Sequence, residues 1–166
     1  MRKATLSILV AAGAAAAVTL AAHAEQGHHH DQLMSNAGHE AAVADTRTLV
    51  QYPETLRIHT LANMRDHLLS LQEIQAALAD GRFDQAGEIA EQRLGMSSLK
   101  LHGAHEVAQY MPRAMQDMGT EMHRAASRFA VVAGDAAVSG DVKPALAALS
   151  RVTQSCVACH ASFRLQ

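Results

Sequence analysis

The chain has no tryptophan, two tyrosines and three phenylalanines, so aromatic residues make up only 3% of its 166 positions. A core this short of large side chains must either pack alanine closely or be filled by something that is not a side chain. Strand-like alternation of any useful length is missing as well. Beyond the first two dozen residues, no apolar run is long enough to span a membrane. Basic charge is also in short supply. Without Arg2 and Lys3, 12 basic side chains face 16 acidic ones. That balance leaves no electrostatic footprint for nucleic acid. No nucleophile–base pair and no phosphate-binding loop stand out, so nothing in the side chains predicts an enzyme.

What is present begins with an address. Arg2 and Lys3 precede an almost unbroken apolar stretch from Thr5 to Ala22, and Ala22-His23-Ala24 offers a small-x-small cleavage site. Residues 1–24 are therefore expected to be a cleaved signal peptide, which sends the mature chain to the periplasm. The remaining 142 residues suffice for one domain with a real core. Residues 25–51 are polar and aperiodic, and include His28, His29, His30, Asp31 and His39. They read as a leader, with a weak metal-binding tract as the sharper alternative.

Only two cysteines occur, in Cys156-Val157-Ala158-Cys159-His160, seven residues from the end of the chain. C-x-x-C-H is the attachment pattern of c-type haem. Two thiols three residues apart can each add across one vinyl group of a single porphyrin, and the histidine that follows is held under the iron as axial ligand. An exported chain suits this chemistry, and a haem would fill the aromatic-poor core. Three rival readings are weaker. A disulfide across two residues would close a loop too small to remove much unfolded-state entropy. A redox C-x-x-C normally opens a helix after a strand, and no βαβ pattern lies upstream. Zinc would find at most three ligands here, awkwardly placed.

The chain from residue 52 onward reads as successive helices. Pro53 and Glu54 open the first, which runs to Gly81 with Arg57, Leu61, Met64, Leu68, Leu71, Gln75 and Leu78 along its inward line. A second starts near Asp84, a plausible N-cap, and reaches Leu94. Met96–Tyr110 reads as a broken or crossover segment. Pro112 opens a third helix with Met111, Met115, Met118, Met122, Ala125 and Phe129 on one face, and Gly134 and Gly140 punctuate its end. Asp141 can cap a fourth, with the stripe Leu146, Leu149, Val152, Cys156, His160 and Phe163. The predicted fold is all-α: a four-helix up-down bundle, residues 52–166, with covalently bound haem in its core.

The ending C-x-x-C-H-x-x-F-R, carried by Cys156, Cys159, His160, Phe163 and Arg164, resembles that of the cytochrome c′ family. The likeness covers roughly residues 52–166, strongly in the last helix and only in pattern elsewhere. It implies one haem c per chain, with thioethers at Cys156 and Cys159 and His160 as fifth ligand. It also implies that an arginine on the first helix lies near a haem propionate, four residues before the side chain that faces the sixth position. Here those are Arg57 and Leu61. Leucine would leave the iron open to nitric oxide or carbon monoxide. Met64 lies nearer the middle of the apolar face on a helical wheel, and its thioether would instead favour electron transfer. His67, on the flank, is the remaining candidate ligand. His59 falls on the polar side, and His102, His105 and His123 read as surface or satisfied core residues. The methionines of the third helix have the spacing of a core seam.

The function expected from these readings is a periplasmic cytochrome that exchanges electrons with redox partner proteins, binds a small gas, or does both. The family habit leaves room for a homodimer, and no membrane association is expected after signal cleavage. Two other classes stay open. One is a non-haem metal-binding protein using the 28–31 tract, with or without the methionine face. The other is a thiol oxidoreductase using Cys156 and Cys159.

Overall fold

Proline at position 53 cannot donate to a preceding turn, and its extended backbone (φ −51°, ψ 142°) launches helix α1, Glu54–Ala79. The computed structural model describes residues 44–166. The export segment 1–24, the histidines of the 28–31 tract, His39 and the leader up to residue 43 lie outside the described residues. α1 stops where expected. Gly81 takes the left-handed conformation (φ +71°), and the Arg82 N–H reaches back to Ala77 O at 2.8 Å, the six-to-one bond that closes a helix on glycine.

Helix α2 spans Phe83–Arg93, and Arg82 rather than Asp84 stands at its N-cap. Asp84 is its second residue, where its charge still complements the helix dipole. The broken segment is a 3₁₀ turn at Met96–Ser98 followed by the short helix α3, Ala104–Ala108. Helix α4, Arg113–Ser139, opens behind Pro112, passes straight through Gly134 and ends at Gly140. Helix α5, Lys143–Ser162, carries Pro144 in its first turn. Asp141 Oδ1 accepts the Lys143 N–H at 3.0 Å, so Asp141 caps from one residue before the formal N-cap, Val142.

Two three-residue strands depart from the expectation of helices alone. β1, Thr48–Val50, pairs in parallel with β2, Phe163–Leu165, in the register Thr48↔Phe163, Leu49↔Arg164 and Val50↔Leu165. Three residues are too few to display a period of two, so only the tertiary pairing reveals them. The compact unit accordingly spans Asp45–Gln166 and takes in residues 45–51, which the sequence had assigned to the leader. Val50 and Tyr52 pack there with Val107, against Met111, Met115 and Phe163.

The described chain is mostly helical, and alanine dominates its main core. Ala77, Ala86, Ala90, Ala125, Ala126, Ala133, Ala136 and Ala145 are buried with Ile74, Leu78, Leu94, Met122, Phe129, Leu149 and Val152. Small residues let helix axes approach closely. A Cβ placed on Gly87 of α2 would stand 3.1 Å from the Ala130 carbonyl oxygen of α4. Backbone contacts are dense between α4 and α5, between α2 and α4, and between α1 and α2. α1 makes no comparable contact with α4 or α5, and the space left beside it becomes the cavity described below.

α1 turns a different stripe inward from the one predicted. Leu68 is 70% exposed and Gln75 is exposed, whereas Thr60, His67, Ser70, Ile74, Ala77 and Leu78 are buried. Leucines on two adjacent stripes make either one a reasonable inner face, and α2 covers the stripe through Ile74 and Ala77. On α5, Leu149 and Val152 are buried as expected, while Leu146 is 50% exposed. No helix among the described residues is long and apolar enough to cross a membrane.

Candidate cofactor cavity

The last two turns of α5 bring Cys156, Cys159 and His160 to the wall of a cavity of about 570 Å³. Ligand and cofactor sites typically measure about 300–1,000 Å³. To the same cavity α1 contributes Leu61 and Met64, both half-buried. The segment before α4 and its first turns add Met111, Met115 and Met118, and β2 adds Phe163. Most of the lining is apolar thioether and aliphatic surface. The methionines read as a core seam therefore divide. Met122, Ala125 and Phe129 enter the core, while Met111, Met115 and Met118 wall the cavity and Met122 touches both.

Both cysteines are free and half-buried. The Cys156 thiol donates to Val152 O at 3.4 Å within its own helix. Burial pushes both thiols above the ordinary cysteine range. His160 is exposed overall but lines the cavity mouth, and its carbonyl accepts a 3.4 Å bond from Arg47. One polar atom bordering the cavity, Thr60 Oγ1, is buried without a hydrogen-bond partner, and an orphaned group of this kind calls for an explanation.

Arg57 is not part of this wall. It pairs with Glu54 at 2.7 Å, one turn back on α1. An acidic residue at i−3 captures the guanidinium before it can reach inward. The arginines that do line the cavity are Arg47 and Arg164, both held by Asp45, at 2.7 and 3.3 Å. Arg47 lies outside the predicted domain and needed the β1–β2 pairing to be found. Leu61 and Met64 are both on the wall, as the helical wheel required.

At the far end of the same cavity stand three buried histidines that no local spacing announces. His67 of α1, His102 of the crossover and His123 of α4 are 7–8% exposed. Their ring centres are 4.6 Å apart for His67–His102, 5.5 Å for His102–His123 and 6.3 Å for His67–His123. Asn63 of α1 donates to the His102 carbonyl at 3.1 Å and fixes the crossover against α1. Burial lowers all three below the ordinary imidazole range, His67 to about 4, with the mutual repulsion of the rings second for His67 and His102. His59 and His105 are exposed. Among the described residues, no group of three or more His, Cys, Asp or Glu side chains is placed to hold a metal ion. Comparison with family models, with characterised proteins and with solved structures gives no match to this chain, so the cavity is read from its own geometry.

Proposed function

We propose that this chain is a c-type cytochrome of cytochrome c′ type: a four-helix bundle, exported to the periplasm, that holds one haem covalently in the cavity and serves electron transfer, small-gas binding or both. One observation carries the reading. Cys156, Cys159 and His160, in attachment spacing on one helix, line one large and mainly apolar cavity together with Leu61 and Met64 of another. The alanine-rich core beside that cavity supports it too, because its small side chains pack among themselves and leave the larger space to a cofactor. When bound, haem supplies the redox and gas-binding chemistry, and the protein sets ligation, burial and access.

The chain's own residues divide that work. Cys156 and Cys159 would fix the group to α5, and His160 would ligate its iron. Leu61 offers no ligand and would leave the iron able to bind a small gas, with Met64 and His67 as the alternative ligands on the same helix. Met111, Met115 and Phe163 exclude water from the edge. Arg47 and Arg164, rather than Arg57, are the cations available to carboxylate groups at the mouth. The thiol oxidoreductase reading fares worse, since a reactive thiolate needs a lowered pKa and burial raises both thiols.

The test is the visible spectrum of protein made with a cytochrome c maturation system, reduced, before and after carbon monoxide. Covalent haem bands that survive denaturation, with a broad ferrous Soret band sharpened by carbon monoxide, are expected. Absence of a covalent chromophore would overturn the reading.

A further inference from the structure

The cavity wall is mostly methionine and aliphatic surface, and full side-chain charge meets it at one place. Arg47 and Arg164 line it, and among the described residues no lysine, aspartate or glutamate side chain does. Both arrive through the pairing of β1 with β2, since Arg164 lies on β2 opposite Leu49 and Arg47 just precedes β1. Asp45 holds the two together. Its carboxylate takes Arg47 side-on, through Nε at 2.9 Å and Nη2 at 2.7 Å, and stands 3.3 Å from Arg164 Nε. Arg47 Nη1 donates to His160 O at 3.4 Å, one of the carbonyls that the end of α5 leaves without a helical partner. Arg47 is thereby fixed on two sides, whereas Arg164 meets Asp45 through Nε and keeps its Nη groups for another acceptor. Two guanidinium groups share one carboxylate, which leaves one positive charge over.

We infer that Arg47 and Arg164, positioned by Asp45, form a carboxylate-binding site at the mouth of the cavity, and that it takes the acid groups of a porphyrin. The inference rests on the haem reading and names the anchor for the acid edge of that group. Solvation orients the occupant. A carboxylate drawn in among the methionines would lose its hydration without gaining a partner. An apolar molecule with its acid groups on one edge therefore seats that edge against the arginines. A guanidinium offers a planar fork that matches a carboxylate, and such charge-assisted bonds are the strong ones. Arg57, held by Glu54 outside the wall, takes no part. The site also gives residues 45–50 a task, because β1 keeps Arg47 over the end of α5.

Mesoporphyrin IX tests it, because this porphyrin lacks iron and vinyl groups and so draws nothing from His160 ligation or thioether formation. Its binding to the full chain made without haem, followed by fluorescence, is compared with that of its dimethyl ester. The free acid is expected to bind about 10- to 100-fold more tightly. Arg164→Gln and Arg47→Gln should each remove most of that preference and leave the affinity for the ester as it is, which a misfolded variant could not do. Arg164→Lys should restore part of it, and Arg57→Gln should change nothing. Four results would each overturn the inference: no binding of either porphyrin, equal affinity for acid and ester, a preference that survives replacement of both arginines, or one lost with Arg57. Palmitate bound more tightly than mesoporphyrin, through the same arginines, would overturn the porphyrin as occupant. Failure of the haem reading shows separately, as a chain that keeps the arginine-dependent preference yet gains no covalent chromophore in the maturation system.

Discussion

At the scale of single residues, polarity placed against its surroundings decides most of what can be measured. Tyr52 is 3% exposed, and its hydroxyl has no hydrogen-bond partner. Burial, and secondly the charge of a Cys159 thiolate, pushes its phenol from 10.0 up to about 12. The folded chain keeps that proton where the unfolded chain has lost it. Stability from this group is therefore complete below pH 10 and falls as pH rises towards 12, by at most about 2–3 kcal/mol. Tyr52→Phe should flatten this alkaline loss. It should also raise stability at pH 7 by about 1 kcal/mol, because no buried hydroxyl is left unpaired. Denaturant midpoints at pH 7 and pH 10.5 for both proteins check the pair of effects.

The sixth position of the proposed haem is also a residue-scale question. Leu61→Met should convert a carbon-monoxide-sensitive ferrous spectrum into sharp low-spin bands, because a thioether replaces an inert branch. Met64→Leu should leave the wild-type spectrum as it is. The opposite pattern would make Met64 the ligand. Leu61 and Met64 were both legible in the sequence because helical periodicity puts them on one face. Arg57, which the resemblance put near a haem propionate, pairs with Glu54, a partner the helical wheel does not register.

At the scale of elements, close approach of small residues holds α2 against α4. Gly87→Val would drive a Cβ to within about 3.1 Å of the Ala130 carbonyl, with two further methyl groups beyond it. Overpacking of this kind costs about 1–3 kcal/mol. The urea midpoint should fall with an unchanged slope, because the surface exposed on unfolding stays the same. An unaltered midpoint would mean that the two helices part without resistance. Element boundaries set by proline and glycine were readable in advance. Pro53, Gly81, Pro112 and Gly140 act through their own backbone constraints and stand where the helices start and stop. Gly134 lies inside α4, since an interior glycine weakens a helix by only about 1 kcal/mol and packing overrides it.

At the scale of the whole molecule, the cavity beside α1 makes stability depend on what fills it. Under the proposed haem reading, protein produced without haem, or as Cys156→Ala with Cys159→Ala, should unfold at a lower temperature than the haem-loaded form. The loss should fall mainly on α1, which lines the cavity and has fewer helices packed against it. Hydrogen exchange that is fastest in α1 of the haem-free protein would bear this out, while uniform exchange across the helices would contradict it.

Sequence alone determined whatever depends on near neighbours along the chain: helical content, the stops at glycine, and the C-x-x-C-H spacing of Cys156, Cys159 and His160. Backbone constraints and a five-residue motif act over a few residues, so linear order suffices to read them. Tertiary structure decided the rest. It selected which leucine stripe of α1 turns inward, paired β1 with β2 across more than a hundred residues, and put Arg47 and Arg164 at the cavity mouth. It also gathered His67, His102 and His123, which share no local spacing. Three imidazoles from three elements meet only when helix packing closes the space between them, and no periodicity in the chain encodes that meeting.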